Sequence, residues 1–310
     1  MPEFTLRTAT DADRSEVAEL ICSGMNTWDI LHGMAPGRFA GGPAQTDVFW
    51  QVYDQLDPGH CIVMESQENG RLAASCFYRE RETHVSLGIM NVHPNYFGHG
   101  LAKQLLGFIT DFTDERDKPL RLVSSLMNLE SFSLYTKAGF IPRLPYQDLI
   151  LTVPASGLSA ELGTDLAVRD ATSDDVEAIA ALELEVSGIS RAKDYRHFVE
   201  SPDGLWSMSV VESAAGSLDG YLASIGHPLL TLTGPGVART EEQAAALLLA
   251  ELNRYPERTV LFLVPVNAGE LVQLFYRLGA RNCEIHGALV RGPAQPFAGV
   301  PLPTFLPESG

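Results

Sequence analysis

The stretch IMNVHPNYFGHGLAKQLL, residues 89–106, has the residue types of an anion site. A β-branched strand ends at Val92, Pro94 halts its ladder, and Gly98 and Gly100 open a helix. The helix carries an apolar stripe of Leu101, Leu105, Phe108 and Ile109. Glycines at its start allow positive φ and close backbone approach. The first N–H groups of a helix have no partner inside it and face outward with the positive end of the dipole, which makes a phosphate site. Lys103 adds charge nearby. The run is not a Walker A loop, because no Gly-Lys-Ser/Thr follows, and it is not the dinucleotide pattern G-x-G-x-x-G.

This stretch, followed by a strand, then Asn128, then LYTKAGF at 134–140, resembles the core of the Gcn5-related N-acetyltransferase (GNAT) superfamily. The resemblance implies that Phe97-Gly98-His99-Gly100-Leu101-Ala102 stands for the family's Gln/Arg-x-x-Gly-x-Gly/Ala, whose backbone amides hold the CoA pyrophosphate. Gly100 and Ala102 match its small positions, and Phe97 replaces the usual Gln or Arg. It further implies that the strand ending at Val92 splays from strand 119–126, that the acyl-pantetheine arm enters the gap, and that the Val92 N–H polarises the thioester carbonyl. Asn128 would contact pantetheine and Tyr135 would protonate the departing thiolate, a transfer open to a phenol of pKa about 10. Acetyl-CoA is the implied cosubstrate, an amine attacks it directly, and no metal is needed.

No acid lies in the strand HVSLGIMNV, so the general base stays unassigned among Glu80, Glu82, His84 and His93. Between the first helix and second strand lie Trp28, Phe39, Trp50 and Tyr53 with Asp29, Asp47 and Asp54, residues that pack an amphipathic helix or cradle an ammonium group.

The elements that position these groups read as strand 4–8, helix 11–24, a long segment 25–58, strands 60–66, 71–80 and 84–92, helix 100–115, strand 119–126, helix 130–138 and strand 145–153. Hairpins followed by strand–helix–strand–helix predict a mixed α/β sheet. The order then recurs. Arg7, Ala9, Thr10, Asp13, Ala18 and Leu20 return as Arg169, Ala171, Thr172, Asp175, Ala180 and Leu182, all at an offset of 162. IVMESQENG (62–70) is echoed by VVESAAG (210–216), and LYTKAGF by LFYRLGA (274–280). The sequence therefore predicts two tandem GNAT-like domains, 1–152 with the acetyl-CoA site and 166–292 as a degenerate copy, joined by a small-residue linker at 151–165.

The second copy's matching turn, LTLTGPGVARTEEQAAALLLAEL (230–252), lacks the pyrophosphate pattern, and Glu241 and Glu242 stand where phosphate would bind. Phe275 takes the tyrosine position, and Asn267 persists one place out of step. This copy is expected to complete the acceptor cleft or to dimerise. Residues 293–310 hold five prolines between 293 and 307 and read as an extended tail, packed on the surface or disordered.

The formal charge of −17, shared by both halves, argues against nucleic acid and anionic membranes and suits a cationic acceptor, a small-molecule or peptide amine. Four cysteines form no CxxC pair and read as buried thiols. No apolar run approaches a membrane span, and the start MPEFTLRTATDADRSEV carries no signal pattern, so a cytoplasmic protein is expected. The reading from a different class is a non-catalytic acyl-CoA-binding or sensing protein.

Overall fold

The computed structural model describes residues 3–34, 38–162, 166–213 and 216–308. Parts of four expected segments (35–37, 163–165, 214–215 and 309–310) lie outside the described residues. The chain divides into two compact units. One takes the residues up to Glu80, then Val85–Leu120 and Phe305–Glu308; the other takes Arg81–His84 and Arg121–Thr304.

In the first unit, β1 (Phe4–Thr8), β2 (Cys61–Ser66), β3 (Leu72–Glu80) and β4 (Val85–Val92) form an antiparallel sheet in that order. Helices α1 (Arg14–Leu31) and α2 (Pro43–Leu56) precede β2, and α3 (Leu101–Asp114) follows β4. Neighbouring residues of β3 show how the sheet is covered. Phe77 meets Trp50 and Tyr53 of α2, whereas Tyr78 meets Phe108 and Phe112 of α3. Successive strand side chains point to opposite faces, so α2 and α3 lie on opposite faces. The α3 stripe buries Leu101, Leu105, Leu106 and Ile109, each contributing about 1.5–3 kcal/mol. A bulge interrupts β4, where Gly88 and Ile89 stand opposite the single Phe77. Glycine is required there, since a Cβ on Gly88 would lie 2.8 Å from the Tyr53 ring.

The second unit contains β5 (Leu120–Ser125, from Arg121 on), α4 (Leu129–Lys137), β6 (Ile141–Thr152), β7 (Val168–Asp170), α5 (Val176–Ser187), α6 (Ala192–Glu200), β8 (Trp206–Glu212) and β9 (Leu218–His227). Then come β10 (Leu230–Ala238), α7 (Glu241–Leu252), β11 (Thr259–Pro265), α8 (Gly269–Arg277), β12 (Arg281–Arg291) and β13 (Val300–Leu302). From β7 to β12 the order repeats that from β1 to β6. The sheet runs β5-β12-β6-β11-β10-β9-β8-β7, with β13 added to β10. The closing strands of the two copies have changed places: β12 lies between β5 and β6, and β6 lies between β11 and β12.

The repeat is also visible atom by atom. Arg7 holds Asp13 through two bonds of 2.8 Å, and Asp13 accepts from the Thr10 amide at 2.8 Å. In the second unit Arg169 holds Asp175 at 2.8 and 2.7 Å, and Asp175 accepts from the Thr172 amide at 2.7 Å. The guanidinium bonds pull both carboxyls down to about 2. Gly139 and Gly279, at φ +90 and +96, end α4 and α8 alike.

Four expectations are corrected. Cys283 is exposed and not a buried thiol. The C-terminal stretch expected on the surface or disordered includes the buried strand β13. The segment 25–58 is not merely long and aromatic, since 43–56 form α2 with Pro43 in its first turn. The Gly234-Pro235-Gly236 run, expected as the matching turn, lies inside β10 at a break in register with β9. No helix among the described residues is long and apolar enough to cross a membrane.

Candidate functional site

In the first unit, β4 delivers the chain to the glycine turn. His93 N–H donates to Ala73 O at 2.8 Å, and the antiparallel alternation then turns the Val92 N–H away from β3. A one-turn 3-10 segment, Pro94–Tyr96, follows, with His93 Nδ1 accepting from the Asn95 amide at 3.2 Å. Tyr96 pins the turn to the unit. Its ring sits edge-on to Phe4 at 5.3 Å, and its hydroxyl accepts from Asn69 Nδ2 at 3.3 Å. Sequence reading passed over Tyr96; the aromatic between the proline and first glycine was the available signal.

Beyond Tyr96 the backbone opens. Gly98 has φ +79, and Gly100, the residue before α3, has φ +76 in the left-handed region. A Cβ at either glycine would meet nothing within 4 Å, so backbone angle, not crowding, calls for glycine. No side chain caps α3. Among the described residues, the amides of Gly98, Gly100, Leu101, Ala102 and Lys103 have no hydrogen-bond acceptor. Gly98, His99, Gly100 and Lys103 are exposed and Leu101 is buried, which anchors the helix while its leading N–H groups meet solvent. His99 turns its Nδ1 to Phe97 O at 3.2 Å, and Phe97 is 39% exposed. Such a start can take an anion with at least two oxygens.

Asn128 and Tyr135 belong to the second unit. Asn128 is the residue before α4, and its side-chain oxygen accepts from the Ser131 amide at 3.0 Å. That cap occupies the carbonyl end of its amide. Tyr135 is buried on α4, with its ring 5.6 Å from that of Phe140.

The base candidates separate clearly. Glu80 is bonded to Lys118 at 2.8 Å and to Arg116 at 3.1 Å, and these cations hold its carboxyl below its ordinary value. A carboxylate so paired is a poor proton acceptor near neutrality. His84 is buried with Nδ1 3.0 Å from Thr83 Oγ1, and Glu82 is exposed. Two of the three expected acceptor-binding carboxylates are bonded to arginines: Asp29 to Arg38 at 3.0 Å twice, and Asp47 to Arg14 at 2.7 Å. Phe39, Trp50 and Tyr53 are core residues. Burial raises the Cys61 and Cys76 thiols above their ordinary values, which disarms them as nucleophiles.

The second copy presents a different helix start. Thr240 and Gln243 form a capping box, with the Gln243 amide donating to Thr240 Oγ1 at 3.3 Å and the Thr240 amide to Gln243 Oε1 at 3.0 Å. Glu241 and Glu242 fill the first turn of α7, and Glu241 accepts from the Leu271 amide at 2.8 Å. Phe275 is fully buried against Phe262 at 5.0 Å. Ala268, not Asn267, stands where Asn128 caps the matching helix.

One cluster in the second unit went unread in the sequence. Asp148, Glu284 and His286 are buried with donor atoms within 4.8 Å of one another, a spacing open to a metal ion. His286 Nδ1 lies 2.7 Å from Asp148 Oδ2, a hydrogen-bond distance that needs no ion to account for it.

Comparison with known proteins finds one family in both parts of the chain. One acetyltransferase (GNAT) domain model matches residues 57–142, and a second acetyltransferase (GNAT) domain model matches residues 179–296. The fold is similar to that of a putative acetyltransferase from Pyrococcus horikoshii, at TM-score 0.72 and 12% identity over 98% of this chain and 95% of that one. It is similar to a GCN5-related N-acetyltransferase from Sphaerobacter thermophilus, at TM-score 0.67 and 18% identity over 96% and 98% of the two chains. A tandem GNAT protein from the clavulanic acid biosynthesis pathway aligns at TM-score 0.61 and 18% identity over 95% and 100%. Among curated relatives, a Bacillus subtilis protein, UPF0157 protein YqkA, is 31% identical over 74 residues, which span 24% of this chain and 21% of that protein.

Proposed function

The chain belongs to the GNAT acetyltransferase superfamily, with two such domains in tandem, and from that premise we propose that it moves an acetyl group from acetyl-CoA to an amine. The observation that carries the reading is the uncapped start of α3, where five amides lack acceptors beside exposed Lys103. Those amides hold the pyrophosphate, and the helix dipole favours its charge.

The amine lone pair attacks the thioester carbonyl carbon, and the developing oxyanion takes a hydrogen bond from the Val92 N–H. The C–S bond then breaks. Tyr135 gives its phenolic proton to the thiolate, the amine nitrogen loses its extra proton to solvent, and solvent returns a proton to the phenolate. An amide and free CoA are the products. The acidic surface, at net −17, attracts cationic amines.

A second reading, an acyl-CoA-binding protein without catalysis, draws support from Phe97 at the usual Gln/Arg position and from Glu80 being paired with two cations. The test is free-thiol release from acetyl-CoA against a panel of small amines and peptide N-termini. Tyr135→Phe should lower kcat by about a hundredfold and leave the CoA dissociation constant unchanged. Thiol release from no amine, with CoA still bound, would favour the second reading.

A further inference from the structure

Parallel strands β10 and β11 pair at Leu232 and Leu261. Past that point β10 turns to a different partner: Gly236, Val237 and Ala238 pair with Leu302, Pro301 and Val300 of β13. β13 also packs beside β11. A short strand from the C-terminal segment thus sits at the end of β10 from which α7 departs. By resemblance, the matching gap in the first copy is the entry for the acyl-pantetheine arm.

The local sequence is shaped for this strand. A Cβ on Gly234, at φ +103, would lie 2.7 Å from Pro303 O, and one on Gly299 would lie 2.4 Å from Ala238 O. On its other side Gly236 approaches β9, where a Cβ would come within 2.5 Å of Tyr221 O. Gly234 and Gly299 therefore let β10 and the C-terminal segment approach more closely than any side chain allows. Val300 and Leu302 join the core formed by Ala238, Ala244, Leu271 and Phe275. Pro301 and Pro303 line a pocket with Arg121, Tyr146, Glu183 and Arg191. Proline suits a strand whose amides are not all needed for a ladder. Farther on, within the first unit, Arg79 donates to Glu308 O, the Glu308 amide donates to Tyr53 Oη at 3.1 Å, and Leu306 is fully buried. Both stretches of the proline-rich end are seated.

We propose that residues 299–304 are a built-in ligand of the second domain: the chain's own strand occupies the β10/β11 cleft and closes that domain to acyl-CoA. The groove is a docking surface for one occupant, this C-terminal strand. Its place does not depend on whether the first domain catalyses. The limit of one acyl-CoA per chain does rest on the proposed function.

Full-length variants test it. In Leu302→Cys, the new thiol should react with a maleimide at least about a hundredfold more slowly than the exposed Cys283 of the same molecule, as read by peptide mass spectrometry. Equal rates would overturn the proposal. Leu302→Asp puts a charge into the core, and this variant should bind a synthetic peptide of residues 299–308 that the unaltered chain ignores. Uptake of the peptide by both proteins alike, or by neither when amide exchange shows the variant's own strand released, would also overturn it. Titration with acetyl-CoA should give one molecule per chain. Two would contradict the closed cleft, whereas none would contradict the proposed reaction and leave the thiol measurement to decide where the strand lies.

Discussion

The starts of α3 and α7 are the same junction in two copies of one fold, and they treat their leading amides in opposite ways. At α3, Gly98 and Gly100 turn the chain with positive φ and leave the N–H groups unbonded. At α7, Thr240 and Gln243 cap the helix, and two glutamates neutralise its dipole. A helix start can satisfy itself or hold an anion, and the residues before the first turn decide which. The copy with a self-satisfied helix also has its strand gap filled by β13, so both halves of a CoA site are internalised there.

The largest effect expected is on folding. A chain stopped after Thr152 keeps β6 but loses β11 and β12, its neighbours on either edge. It should show no cooperative melting transition, and a cooperative melt with CoA binding retained would sink the exchanged-strand account. Next, Gly100→Val should weaken CoA binding by about a hundredfold, because a β-branched residue resists φ near +76 and the amides would turn away. Calorimetry reads this directly, and unchanged affinity would place the phosphate elsewhere. Thr240→Ala, at the other junction, should cost about 1 kcal/mol of stability by denaturant unfolding while CoA affinity stays put. A loss of affinity there would erase the contrast between the two helix starts.

An acid-dependent effect should be shared by both copies. Asp13 and Asp175 have carboxyls lowered from 3.8 to about 2, so their ion pairs add stability that is complete above pH 3.8 and is lost as pH falls through 2. Asp13→Asn and Asp175→Asn should each flatten the acid limb of the stability curve by a similar amount. An effect in only one variant would mean the two caps are not equivalent.

Local chemistry explains how much was legible in the sequence. The Arg7–Thr10–Asp13 turn and its echo at Arg169–Thr172–Asp175 bond within seven residues, so their repetition survived as a pattern. Gly98 and Gly100 were legible for a similar reason, since positive φ is a demand of the turn itself. α2 could have been found from Pro43 and from Val48, Val52 and Leu56 at helical spacing. What stayed hidden depends on distant partners. Nothing near Tyr146 says that it pairs with His286, and alternation within a strand does not name its neighbour. The proline-rich end was expected on the surface or disordered, yet Val300, Leu302 and Leu306 are buried, a placement that depends on β10 residues such as Gly234 and Gly236, more than sixty residues earlier. In the candidate acceptor region, side-chain types suggested a cationic cradle, but Arg38 and Arg14 hold two of those carboxylates.

The central claim is that CoA phosphate is held by the backbone at the start of α3 and not by its counterpart at α7. Amide hydrogen exchange with and without CoA tests this residue range by residue range. The account predicts slowed exchange at 98–104 on binding and no change at 239–244. Slowing confined to 239–244, or no slowing at 98–104 at saturating CoA, would contradict it.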